Sequence, residues 1–479
     1  MRRSPVVAAA ASLVSAAVIV YHNALSAYFF DDDFQWLVGS WSFHPAQLVA
    51  FGSLSHFYRP LIDVYFAAAT PLFGGSPALF HLAGIMLHAA NALVVFALAR
   101  TVSRAGPAPD FALRATSGKE AGPHDLYGFV AALFFVVQPS DIDAIAWVSA
   151  VSEGAGTFFG SLSLLCFLEW LHTARPRWRQ LSALAFLLAL LSHESSVMFL
   201  PVIALADWAF TRGPRRVIQV SGADVPGQVG GAGLPLSAEA RRAKAEGPRD
   251  TRHIVRIYAP YVVLTLMYLA VDVVVNSRNY VVSQGHYTIG VHVVQNALDY
   301  IDALYVGRRD GVNYAVIGIG LALLLLRGSR RVKFATGWML LALAPFVFFN
   351  WANTSRYLYQ PAIGFSMLLA EAVVRLDRLL AGRMPGLARA TIVAAVVAGI
   401  TIRFALFAMA NVTSFAARTE TYRTYIASFR EIHGDIPSHT VVPPDPRLDV
   451  KLPYRFVNAA VQWEYGDPSI QVTPYEYEP

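Results

Sequence analysis

Charge is scarce in this chain. Only 15% of its 479 residues are Asp, Glu, Lys or Arg, and 55% are hydrophobic. Soluble domains are about a quarter charged. Cysteine is scarcer: Cys166 stands alone, inside the apolar run SerLeuSerLeuLeuCysPheLeu. A lone cysteine excludes an intrachain disulfide framework. With no CxxC and no Cys/His cluster, a structural zinc site is not expected. Internal repeats are missing, and so are the paired Gly/Pro-broken apolar segments of many transporters. A mean hydropathy of +0.45 completes the exclusion of a soluble enzyme or a disordered chain. The net charge of +6 would suggest nucleic acid in a soluble protein, but here its distribution matters more than its sum.

What the chain has is long apolar runs. They place membrane helices near 5–27, 78–99, 126–139, 149–171, 180–192, 196–211, 255–275, 312–326, 335–349, 358–374 and 388–410, about eleven spans. SerHisGluSer at 192–195 interrupts one of these stretches, so 180–211 reads as two short spans or one re-entrant pair. Lysine and arginine orient the chain. With Arg2 and Arg3 inside, the inner segments carry 26 of them and the outer loops five: Arg59, Arg278, Arg308, Arg309 and Arg356. That asymmetry is the positive-inside pattern. It predicts a cytoplasmic amino terminus and an outer tail in a multi-pass plasma membrane protein, the inner membrane in a bacterium. The start also fits a signal peptide ending at 24–27, but an odd number of spans favours its retention.

The expected fold is an all-α polytopic membrane protein with a small outer α/β tail. A membrane domain covers 1–411, with a Gly/Ala/Pro-rich cytoplasmic linker at 217–251 that touches anionic lipid. An outer loop at 277–310 contains an amphipathic stretch at 291–306. The tail at 412–479 is rich in Tyr, Pro and charge. It reads as a short helix near 415–432 followed by strand-like SerHisThrValVal and SerIleGlnValThr.

The topology rests on apolar runs and Lys/Arg alone, so the other polar residues test it. AspAspAspPheGlnTrpLeu (31–37), PheTyrArgProLeu (57–61), GlnProSerAspIleAsp (138–143), SerHisGluSer (192–195) and AsnThrSerArgTyrLeuTyr (353–359) all fall in outer loops. Acidic groups at membrane depth are expensive and mark functional sites. Adjacent carboxylates at Asp31, Asp32 and Asp33 repel one another, which suits a general base or a weak divalent-cation site; a solvated helix cap is the bland alternative. Arg59 beside Tyr58, and Arg356 beside Tyr357, suit a phosphate, although an interfacial arginine can equally snorkel to headgroups. His193 and Glu194 read as a phosphate contact and its orienting acid, or as a cap pair. Asp143 lies just before a helix start, where acid is also expected. His81, His88 and Asn91 share one helical face and are expected to bond to neighbouring helices. Asn353 and Asn411 begin glycosylation sequons.

In order and spacing these motifs resemble the polytopic GT-C glycosyltransferases that use lipid-phosphate sugar donors. They are closest to the protein O-mannosyltransferase-like branch, including transmembrane O-mannosyltransferases with tetratricopeptide repeats. The resembling stretches are PhePheAspAspAspPhe (29–34), TyrArgProLeu (58–61), LeuPheHisLeu through HisAlaAlaAsnAla (79–92), GlnProSerAspIleAspAlaIleAlaTrpValSer (138–149), LeuSerHisGluSer (191–195) and SerArgTyrLeuTyrGlnProAlaIleGlyPhe (355–365). The chain departs from the pattern at Gln138, where the family has His, at His193, where it has Lys, and at Ser355, where it has an acid. The repeats are missing. The resemblance implies a polyprenyl phosphate-sugar donor and an acceptor hydroxyl on protein, lipid or glycan. It implies Asp32 or Asp33 as base, and Arg356 with Arg59 and His193 on the phosphate of an inverting transfer. No cofactor is required, and nucleic acid is not expected as a partner. A lipid or glycan transporter, or another lipid-dependent membrane transferase, is the rival class. A transporter would set charges at mid-membrane and on both faces.

Overall fold

The computed structural model describes residues 5–49, 57–105, 123–211, 251–276, 285–350, 355–443 and 452–473, with Asp445, Arg447 and Leu448 between the last two. The linker assigned to 217–251 lies outside them except for Thr251, as do 277–284 of the outer loop and the Asn353 sequon's first two residues.

Helices dominate. In chain order they are α1 (Pro5–Tyr21), α2 (Asp33–Trp41), α3 (Ala46–Val49), α4 (Pro60–Phe73), α5 (Pro77–Ala105), α6 (Pro123–Val136), α7 (Ile142–Ala146), α8 (Val151–Thr173) and α9 (Pro176–Leu190). There follow α10 (Phe199–Thr211), α11 (Thr251–Asn276), α12 (His292–Tyr305), α13 (Gly311–Arg327), α14 (Arg330–Leu343), α15 (Tyr359–Ala381), α16 (Gly386–His433) and α17 (Tyr454–Tyr465). Each of the eleven expected apolar runs contains a helix, but the run at 335–349 leaves it after Leu343. Among the described residues, five helical segments are long and apolar enough to cross a membrane: Val6–Ser26, Pro77–Arg104, Val148–Thr173, Val255–Val275 and Gly386–His433. A sixth crossing is counted if the pair His124–Val136 and Pro139–Ala146, bent by 46°, is one broken span. The chain is a multi-pass membrane protein.

Local chemistry sets the ends of these helices. Pro60 and Pro176 open α4 and α9, where a missing N–H costs nothing. Asp310 and Ser329 cap α13 and α14 by accepting the N–H of Asn313 and Val332. Gly74 ends α4 at φ 58°, a left-handed conformation that glycine adopts freely. The central bundle packs α5 against α1, α6 and α8, with α15 against α6 and α14. Small residues allow the close approaches. A Cβ on Gly364 would come within 2.5 Å of the Ala335 carbonyl oxygen, and one on Gly156 within 2.8 Å of Ser196 Oγ.

His88 and Asn91 bond to neighbouring helices. His88 Nδ1 is 2.9 Å from Tyr359 Oη, and Asn91 donates to the Gly154 carbonyl at 3.0 Å.

One expectation needs correction. The helix expected at 415–432 is not separate from the last span: α16 runs unbroken for 48 residues. Its polar second half continues because Val412, Phe415, Thr419, Tyr422, Tyr425, Ile426 and Phe429 keep helical spacing and are buried. Beyond it, Val441–Val442 (β1) and Gln471–Val472 (β2) pair in parallel around α17, a minimal β–α–β unit. This tail clasps α2. Trp463 stacks on Trp41 at 5.3 Å and meets Phe29 edge-on at 6.0 Å.

Candidate active site

The polar motifs converge at one end of the bundle. The Asp triplet enters through a turn in which Asp33 donates its N–H to the Phe30 carbonyl (3.0 Å) and accepts the Phe30 N–H on Oδ2 (2.9 Å). Asp31 turns the chain at φ 45°, a conformation that Asp tolerates better than most residues.

The three carboxylates then part company. Asp33 is fully buried, and its second oxygen accepts the Ser149 N–H at 2.6 Å. Burial and the charge of Asp32 push its carboxyl well above the usual range, against those two backbone donors. Asp32 is half-buried and accepts from the Ser149 hydroxyl at 2.6 Å. Asp31 accepts from the Tyr422 phenol at 2.6 Å, and burial lifts its carboxyl to about 6. Among the described residues, no three His, Cys, Asp or Glu side chains are grouped so as to share an ion, and the triplet is no exception.

The two arginines also differ. Arg59 is bidentate to Glu194, Nε to Oε2 at 2.9 Å and Nη2 to Oε1 at 2.7 Å. It also donates to Ser152 Oγ at 3.2 Å. Burial works against the Glu194 charge, but Arg59 and His193 outweigh it and hold the carboxyl down at about 2. Arg356 has no carboxylate of a described residue within ion-pair distance. It lies over the Trp147 ring at 5.0 Å and the Tyr357 ring at 5.2 Å, and donates to Tyr357 Oη at 3.4 Å. Burial opposes its charge, yet Tyr357, Asp32 and Glu153 raise its pKa, so it is a fixed cation. Tyr357 is itself held by a 4.3 Å stack on Phe346.

His193 sits between these groups. Its Nε2 is 3.1 Å from Glu153 Oε1 and 3.0 Å from Arg59 Nη2, while Nδ1 accepts the Ser195 N–H at 3.2 Å. Asp143 accepts the Ser355 hydroxyl at 2.6 Å and lies 3.6 Å from Arg418. Tyr58 is the outlier. It is buried, its ring faces Tyr268 at 6.2 Å, and its carbonyl accepts from the Tyr268 phenol. Asp32, Asp33, Arg59, Asp143, His193, Glu194, Arg356 and Tyr357 are thus drawn into one constellation, with Asp31 and Tyr58 at its edges.

Several members are set by the fold rather than by a candidate role in the sequence, although Trp147 and Ser149 lie within the motif at 138–149. Ser149 bridges Asp32 and Asp33, Glu153 braces His193, and Trp147 underlies Arg356. Arg418 and Tyr422 arrive from α16. Glu153 had a marker: an acid in the first turn of an apolar helix, 5% exposed in the structure.

No protein-family model matches the chain, and no curated protein matches it. Among solved structures it is similar to ArnT from Cupriavidus metallidurans bound to undecaprenyl phosphate. The TM-score is 0.52 and the identity 12%, over 98% of this chain and 86% of ArnT. A likeness at that identity concerns architecture, and it extends over nearly the whole chain: the protein has a polytopic GT-C fold.

Proposed function

We propose that the protein is an integral membrane glycosyltransferase. It moves a sugar from a polyprenyl phosphate-linked donor to an acceptor hydroxyl and inverts the anomeric centre. The single observation that carries this reading is an accessible carboxylate and a buried cation with no ion-pair partner among the described residues, in one site: Asp32, held by the Ser149 hydroxyl, and Arg356, stacked on Trp147 and Tyr357. Asp32 takes the acceptor's proton, and the acceptor oxygen displaces the lipid phosphate in line. Arg356 holds that phosphate as negative charge grows on the leaving oxygen, its planar fork suited to two phosphate oxygens. Asp33 fixes the loop that carries Asp32. Arg59, His193 and Glu194 form a charged brace behind the phosphate position, and Asp143 and Tyr357 shape its rim. A divalent cation near the triplet would be an accessory to the donor phosphate, and a chelator titration tests it.

The fold supports the reading, as does the undecaprenyl phosphate bound by ArnT, a lipid phosphate of the proposed kind. The order of motifs supports placement in the protein O-mannosyltransferase-like branch. The Lys/Arg asymmetry supports a site and tail on the outer face of the plasma membrane, the inner membrane of a bacterium.

The test is release of free polyprenyl phosphate. Purified protein is given a panel of polyprenyl phosphate-sugars and a membrane extract as acceptor source. Release should fall about 10²–10⁴-fold in Asp32→Asn. Release indifferent to Asp32, or none with any donor, would overturn the reading.

A further inference from the structure

Away from the acidic triplet, Arg403 of the membrane helix α16 has no role in the proposed reaction. Arg403 is the single charge in the apolar run 390–409 of α16. It lies about 25 Å along the helix from Gly386, at a rise of about 1.5 Å per residue. That distance, against a hydrocarbon core of about 30 Å, sets it near one interface. It is exposed on the flank of the bundle. Its guanidinium donates to the carbonyls of Tyr305 (3.1 Å) and Val306 (3.3 Å), which end α12. A cation at a helix C-terminus is favourable. Val306 has φ 57°, a left-handed conformation that a β-branched residue resists.

These residues form one wall of a groove of about 570 Å³. Its lining combines Arg403 and Arg308 with the apolar Val306, Val312 and Val316. One carboxylate, Asp310, also lines it, but that side chain caps α13 through the Asn313 N–H at 2.8 Å. The groove therefore has a cationic head. Below it, Val312, Val316, Ile319, Leu323 and Leu326 of α13 are all exposed, at spacings of four and three that place them on one face. A cationic head above an apolar stripe, at the depth of the membrane interface, matches a lipid with a negatively charged headgroup.

We propose that this groove between α12, α13 and α16 seats one anionic phospholipid of the surrounding leaflet. Its phosphate lies between Arg308 and Arg403, and an acyl chain runs along the α13 stripe. The seat sits at the end of the helix whose Tyr300 meets Tyr357, ring to ring at 6.5 Å. A lipid there steadies α12 behind Arg356. The proposal depends on the membrane fold and not on the chemistry assigned to Asp32.

Native mass spectrometry of the full chain in detergent tests it, with phosphatidylglycerol and phosphatidylcholine of matched acyl chains as probes. One phosphatidylglycerol should be retained in preference to phosphatidylcholine. Arg308→Gln, on an exposed loop, should weaken that retention about fivefold, the effect of one cation near an anionic headgroup. Arg308→Gln with Arg403→Gln should weaken it further. Arg383→Gln, at the exposed opposite end of the bundle, should leave it unchanged. Equal retention of the two lipids, an unaffected Arg308→Gln, or an equal loss in Arg383→Gln would each overturn the proposal. Undecaprenyl phosphate is titrated in parallel. If its binding falls in Arg308→Gln while that of phosphatidylglycerol does not, the groove belongs to the donor lipid and the proposal fails.

Discussion

Asp32 and Asp33 are adjacent in sequence, yet their surroundings assign them different work, and Asp33→Asn separates the two. The Asp33 carboxylate takes one backbone N–H on each oxygen, from Phe30 and Ser149. Asparagine keeps one oxygen and turns an NH₂ toward the other N–H. A charge-assisted bond is worth about 1.5–3 kcal/mol, and a stranded buried donor costs about 1–3 kcal/mol. Removing a buried charge returns part of this, because burial already disfavours the ionised form. The net expectation is a loss of about 2–3 kcal/mol, seen as a melting temperature lower by a few degrees in detergent. Asp32→Asn keeps an oxygen for the Ser149 hydroxyl at a half-buried position, so its melting should be unchanged. Activity should show the reverse. At a temperature well below melting, Asp33→Asn should lose less than about tenfold in polyprenyl phosphate release, while Asp32→Asn loses the about 10²–10⁴-fold of a general base. Thermal melting and donor turnover on the same two preparations decide it. An Asp33→Asn that melts like wild type but turns over as poorly as Asp32→Asn would refute the division.

Arg356→Lys keeps the charge but loses the planar fork and its stacking on Trp147, and kcat/KM for the donor should fall at least about tenfold. Arg59→Gln leaves Glu194 without its bidentate partner and should destabilise the chain by about 3 kcal/mol; the Arg59→Gln, Glu194→Gln double variant should recover part of that loss in a thermal double-mutant cycle. Asp31 is raised in the folded chain to about 6. Its contribution to stability is therefore complete below the unfolded value near 4 and is lost as pH rises through about 6. Melting curves of wild type between pH 4 and 7 should show this decline, and the difference from Asp31→Asn should vanish at the acid end. Tyr422→Phe removes the phenol that favours the ionised Asp31, so the same decline should move to higher pH.

The membrane helices were legible because an apolar run of membrane length has few other uses. The polar motifs were legible because charge beside such runs is rare. What the one-dimensional pattern left open was commitment. Arg59 and Arg356 look alike in sequence, each followed or preceded by tyrosine. Only the fold shows that Glu194 occupies one and that aromatic faces leave the other uncommitted. The Asp triplet is the same case: residues one apart in sequence are separated by burial, which depends on Ser149, over a hundred residues away. Arg418 and Tyr422 were invisible for a related reason. They lie where apolar character fades, so the last span seemed to end near 410, while the buried spacing of Phe415, Thr419 and Tyr422 carries the helix on.

That continuity makes α16 a ruler. Its 48 residues measure about 70 Å at a rise of about 1.5 Å per residue, more than twice the thickness of the hydrocarbon core. One rigid rod thus fixes both the height of Arg418 and Tyr422 above the bilayer and their bearing toward the acidic loop. Height and bearing are locked together by the helical screw. A single residue inserted between Arg403 and Arg418 would raise the upper half by only about 1.5 Å but swing it by about 100°. Asp31 would lose Tyr422 and Asp143 would lose Arg418 at once, and the β–α–β tail would be carried away from α2. A full turn of four residues would nearly restore the bearing while lifting the contacts by about 6 Å. The length of this segment is therefore constrained in angle far more tightly than in height.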